Sequence, residues 1–158
     1  MNVKQLLGDY ESEKTKQKED WEKKKAEENN RRHLNAEKVE SHLREIVLPV
    51  LNLACNDITE SGYPCAIETV SIKDGSNTQS QKTFALRLIL KTDKEKGRDS
   101  HMGYSMEFNG DFESLTVTIK FRLQTSSDPK PSNALLNSLT KEFTEQKVEE
   151  FLKLVFKA

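Results

Sequence analysis

The pattern of apolar and polar residues changes character near residue 35. From Glu11 to Arg32 there is no Gly, no Pro and no sustained apolar period; instead opposite charges recur four apart, as Glu19 with Lys23, Asp20 with Lys24, Glu27 with Arg31 and Glu28 with Arg32. Residues at that spacing are neighbours on a helix surface, and each pair adds about 0.2–0.5 kcal/mol, so several together favour a solvated helix. Ahead of the charge pairs, Val3, Leu6, Leu7 and Tyr10 form a short apolar stripe that must dock somewhere or stay exposed, and Trp21 stands alone further on. A coiled-coil register through Val3, Leu7, Tyr10 and Trp21 is weak, because it also sets Lys14, Gln17, Lys24 and Glu28 on the seam.

Beyond Asn35 the periodicity becomes that of a buried structure. Val39, Leu43, Ile46, Val47, Val50, Leu53, Ala54 and Ile58 recur at helical spacing, predicting an amphipathic helix over 36–60 that ends at Ser61-Gly62-Tyr63-Pro64. Pro49 removes a hydrogen bond and crowds the preceding turn, which predicts a kink or a helix boundary there. Alternation then predicts strands over 83–92, with Phe84, Leu86, Leu88 and Leu90 inward, over 102–108, with Met102, Tyr104, Met106 and Phe108 inward, and over 115–123, with Leu115, Val117, Ile119, Phe121 and Leu123 inward. A less regular strand precedes them over 65–73, where Ile67 and Val70 have opposite parity and suggest a bulge.

The connections are too short for helical crossovers, so the strands are antiparallel, and the simplest order is a meander. Asp74 to Asn77 and Lys94 to Asp99 are turn chemistry, and Asn109-Gly110 is a hairpin dipeptide. Inward residues are even-numbered before this connection and odd-numbered after it, so the loop has an even length, which Asn109-Gly110 or a four-residue loop supplies. Asn133 to Leu139 is not assigned. A last helix over 145–157 has Thr144 as its cap, a Phe143/Val148 staple, and Val148, Phe151, Leu152 and Val155 as its buried stripe. The expected fold is α+β: a two-layer sandwich of a four-stranded antiparallel meander sheet with two helices on one face. A charged helical arm over 1–34 precedes this domain of 35–158.

Composition explains the arm. Apolar residues make up 34% and charged residues 32% of the chain, below and above the roughly 45–50% and ~25% usual for globular domains. Residues 1–32 carry 17 of the 51 charged side chains, and the remainder has an ordinary proportion. The arm's charges nearly cancel, so it lacks the one-signed field of an arm built for phosphates. Two cysteines, Cys55 and Cys65, are too few for a disulfide framework and are expected to be reduced. No stretch approaches the ~18–20 apolar residues of a membrane span, so a soluble, cytoplasmic protein with no membrane partner is expected.

Candidate chemistry is sparse. His33, His42 and His101 follow no ligand spacing, and no nucleophile elbow, phosphate loop or dinucleotide fingerprint occurs. Glu149 and Glu150, like Glu27 and Glu28, are adjacent on helices and point apart, so they do not form an acid pair. No cofactor or metal is implied, and the chain reads as non-enzymatic. The sheet's outer face is the remaining place for function: Arg87, Lys91, Lys120 and Arg122 fall there with Thr116 and Thr118, opposed by Glu107, while Ala85 and Ile89 make it less than uniformly polar. The favoured expectation is an adaptor-like or chaperone-like interaction protein that self-associates, as a homodimer, through Val3, Leu6, Leu7, Tyr10 and Trp21, the outer sheet face, or both, with a second protein as a further partner. One alternative is binding of an acidic ligand or nucleic acid by the four cations; nucleic acid is disfavoured because outward aromatic residues are absent from these strands. Another is a small enzyme or ligand carrier with a pocket between sheet and helices.

Overall fold

The computed structural model describes residues 2–73, 81–92, 103–123 and 128–156; the side chains of residues 72, 73, 81 and 82 are outside the description. The expected turns at Asp74 to Asn77 and Lys94 to Asp99, the inward placement of Met102, and His101 lie outside the described residues. The chain forms two units, Met1–Leu34 and Asn35–Ala158.

The first unit is helical throughout its described part, within α1 (Val3–His42). Its side chains are exposed, and Glu28 pairs with Arg32 at 3.5 Å across one helical turn. Of all α1 residues only Asn35 and Val39 are buried, and both belong to the second unit.

In the second unit the helical segment passes through a single π turn, Leu43–Val47, into α2 (Leu48–Glu60). Pro49 explains the irregularity: it offers no N–H and its ring crowds the carbonyl four residues back, so the turn widens ahead of it, and the Leu48 N–H donates to the carbonyl of Leu43, five residues back. The widening also changes which residues are buried. Val39, Leu43, Val47 and Leu51 are each fully buried at spacings of four; at 3.6 residues per turn such a row drifts by about 40° per step, and a wider turn offsets the drift. Leu53, expected in the core, is instead 61% exposed.

Five strands follow, in antiparallel meander order: β1 (Cys65–Lys73), β2 (Gln81–Leu90), β3 (Tyr104–Asp111), β4 (Thr116–Arg122) and β5 (Ser132–Leu135). The sheet therefore has five strands, not four; β5 and a 3₁₀ turn, Leu136–Ser138, occupy the segment that periodicity left unassigned, because four residues are too few to show a period. β1 is regular against β2 from Cys65 to Ile72, with its register shift only at Ile72/Lys73, so Ile67 and Val70 simply face opposite sides.

The hairpin between β3 and β4 has the even, four-residue loop and not a two-residue turn at Asn109-Gly110. Asn109 and Gly110 lie within β3, paired to Thr118 and Val117, and the turn is the four-residue Phe112 to Leu115. Asp111 organises it: its carboxylate accepts from the Glu113 N–H at 2.9 Å and its carbonyl from the Leu115 N–H at 3.1 Å. Leu115 takes the left-handed conformation with φ 53. Gly110 serves a different need, since a methyl there would collide with Cγ1 of Val39; its absence lets the helix approach the sheet.

Inward rows such as Leu86/Phe108/Ile119 and Leu88/Met106/Phe121 are buried against the helices, each side chain contributing roughly 1.5–3 kcal/mol over exposure. Phe121 meets Phe151 of α3 (Lys141–Val155) with ring centroids 5.4 Å apart. The cap of α3 is Thr140, whose hydroxyl accepts from the Phe143 N–H at 3.1 Å; Thr144 lies inside the helix, buried, donating to the Thr140 carbonyl. Two polar ties anchor the helical layer to connections: Asn35 Nδ2 donates to the Phe112 carbonyl at 2.8 Å, and His42 Nε2 to the Leu139 carbonyl at 2.7 Å. A carbonyl only accepts, so Nε2 of His42 carries the hydrogen. Among the described residues no helix is long and apolar enough to cross a membrane.

Candidate interaction surfaces

The arm keeps its hydrophobic residues in solvent. Val3, Leu6, Leu7, Tyr10 and Trp21 are 54%, 59%, 57%, 63% and 62% exposed. Lys25 Nζ lies 5.0 Å from the centroid of the Trp21 ring, a cation–π contact along one helix face.

The outer sheet face is a ladder of alternating charge. Register aligns Glu68, Arg87, Glu107 and Lys120 across β1 to β4. Arg87 lies between two carboxylates, 3.8 Å from Glu68 and 3.6 Å from Glu107, and Glu107 is nearly buried. Arg122 sits one row along, beside Ser105, and Lys91 lies just past β2, its backbone N–H held by the Pro64 carbonyl at 3.0 Å. The register thus sets Arg87, Lys120 and Arg122 on neighbouring positions of one face, with Glu107 between Arg87 and Lys120 and Glu68 on the other side of Arg87. Glu68 escaped the sequence reading because the parity of β1 was open. Val70 and Ala85 pair on this face, as do Ala66 and Ile89, which accounts for its mixed character.

A third surface lies between the helices. The exposed side of α2 and the neighbouring side of α3 form an open groove of about 320 Å³, with Val50, Leu53, Ile58, Val148 and Leu152 along it. Its charged residues are all acidic: Asp57, Glu145 and Glu149. Glu149 reaches Lys153 at 3.7 Å, while the adjacent Glu150 turns to Lys147 at 3.4 Å, so these two carboxylates do serve different partners. Tyr63 and Phe156, stacked edge to face with centroids 5.0 Å apart, line a further hollow with Asp57 and Ile58. The sequence signal for this groove was the i, i+4 pair Glu145/Glu149 beside Val148 and Leu152, obscured by assigning Leu53 to the core.

Cys55 and Cys65 are both free. Burial, then a hydrogen bond and like-charge repulsion from Cys55, pushes the Cys65 thiol up to about 12 from an ordinary 9.0. A nucleophilic cysteine needs the opposite shift. Among the described residues no group of three or more His, Cys, Asp or Glu side chains is placed to hold a metal ion. Comparison with protein families, curated proteins and solved structures finds no match to this chain.

Proposed function

We propose that this chain is a non-enzymatic protein-interaction module, adaptor-like or chaperone-like, that self-associates through its N-terminal arm in the cytoplasm, where free cysteines such as Cys55 and Cys65 persist. The observation that carries the reading is the arm's stripe. A solvated helix buries none of Val3, Leu6, Leu7 and Tyr10, all more than half exposed. Their i, i+3, i+4, i+7 spacing is that of anchors which enter a groove on a partner. Light scattering on the full chain and on a chain beginning near Arg32 tests it. The full chain gives a multiple of the monomer mass and the shortened chain gives the monomer; a monomer in both ends the reading.

A second reading, binding of an acidic ligand at Arg87, Lys91, Lys120 and Arg122, is supported by the exposure of Lys120 and Arg122. It requires binding that weakens steeply with salt and with charge reversal at those two residues. The bracketing of Arg87 by Glu68 and Glu107 reduces the field available and ranks this reading second.

A further inference from the structure

The self-association proposed above leaves open what the arm grips, and the charges around the exposed arm stripe and around the groove, where Leu53 is exposed and Val50, Ile58 and Val148 form a buried floor, answer it. We infer that the arm of one copy lays its Val3/Leu6/Leu7/Tyr10 face into the groove between α2 and α3 of a second copy. At about 100° per residue, Val3, Leu6, Leu7, Tyr10, Lys14, Lys18, Trp21, Lys24 and Lys25 fall within roughly 60° of one line along α1. Asp9, Glu11 and Glu13 fall about 80° or more away from it. Up to residue 25 every charged residue within about 60° of that line is a lysine, with Gln17 among them, and Glu11 and Glu13 border the face at about 80°.

The groove is its complement. It is apolar along Val50, Leu53, Ile58, Val148 and Leu152, and every charged residue lining it is a carboxylate. Dimensions agree: Val3 to Tyr10 rises about 10 Å and Val50 to Ile58 about 12 Å along their helices, leaving Lys14 one turn beyond the apolar contact to meet Glu145. Parallel pairing of two arms with each other is disfavoured by the same residues, since its seam opposes Lys14 to Lys14 and Lys24 to Lys24. The contact joins unlike surfaces, so it closes as a reciprocal exchange between two copies or extends from copy to copy.

Sedimentation equilibrium on the full-length chain tests the inference with substitutions at exposed positions: Leu53→Glu, Glu145→Lys, Lys14→Glu, and Glu145→Lys combined with Lys14→Glu, each checked for an unchanged thermal melt. Each single substitution weakens association by about 10-fold or more, and the reciprocal pair, which restores a lysine–glutamate contact in every copy, returns to within about 3-fold of the natural chain. Single substitutions that leave association unchanged, or a reciprocal pair that weakens it additively, overturn the groove as the arm's receptor while self-association stands. A natural chain that sediments only as a monomer overturns the self-association reading as well.

Discussion

Trp21 and Phe151 are both large aromatic residues on charged helices, flanked by Glu22 and Lys23 in one case and Glu150 and Lys153 in the other, yet one is 62% exposed and the other fully buried. The difference lies one turn away. One turn from Phe151 lie Val148, Leu154 and Val155 beside Lys147; one turn from Trp21 lie Gln17, Lys18, Lys24 and Lys25. Forming a helix needs only local pairs, whereas burying one needs an apolar face repeated over several turns. The arm satisfies the first condition and the domain both. In the arm every large apolar residue is exposed, whereas in the domain most belong to the core and a few, such as Leu53, do not.

The largest expected effect breaks this contrast directly. Phe151→Ala removes a side chain packed on Phe121, and the domain loses about 3–5 kcal/mol of stability by urea denaturation. Trp21→Ala leaves the same transition within about 0.5 kcal/mol. A comparable loss from Trp21→Ala would show that the arm shares the domain's core.

Two glycines sharpen the contrast at smaller magnitude. A methyl at Gly110 collides with buried Val39, whose branched side chain has little freedom to move, so Gly110→Ala lowers domain stability by about 1–3 kcal/mol. Val39→Ala in the same chain empties the space, and the combined loss is less than the sum of the two. Nothing lies within 4 Å of a methyl added at Gly8, so Gly8→Ala increases arm helicity by far-ultraviolet circular dichroism, with up to about 1 kcal/mol of helix propensity gained and the domain transition unmoved. A stabilising Gly110→Ala would remove the close approach of helix to sheet from the account of the fold.

Gly110 also shows where sequence patterns stop being readable. β2, β3 and β4 were legible because each repeats an inward apolar residue at every second position, and the helix pattern past Asn35 was legible for the corresponding reason at 3.6. Asn109-Gly110 carries turn chemistry, but its glycine answers to Val39, about seventy residues earlier, and no local window contains that constraint. The actual turn uses Leu115 at positive φ, a residue no turn rule selects. Pro49 announced an irregularity, but its form as a π turn, and with it the exchange of Leu53 for Leu51 in the core, depends on how the row Val39, Leu43, Val47 meets the sheet. Thr144 has cap chemistry, but α3 begins a turn earlier, at Lys141, and its cap is Thr140. Of the candidate surfaces, the arm stripe and the outward cations were visible because each lies on one element or one parity. The groove needs α2 and α3 side by side, and Glu68 needs the register of β1, so neither exists before the fold does.

The smallest effect concerns a group that only the domain has. The Cys65 thiol is protonated in the folded chain up to a pH near 12, whereas in the unfolded chain it titrates near its ordinary 9.0. Between those values the unfolded state binds fewer protons than the folded one, so stability falls as pH rises through this window; the contribution is complete below about pH 9 and levels off above about 12. The thiol is only half-buried, which limits the size of the decline. The readout is the difference between the natural chain and Cys65→Ser in denaturation midpoints across that window, with the serine chain showing the shallower slope. Identical slopes would mean that burial against Cys55 does not hold the proton on Cys65, and that this thiol, like the arm's side chains, is effectively in solvent.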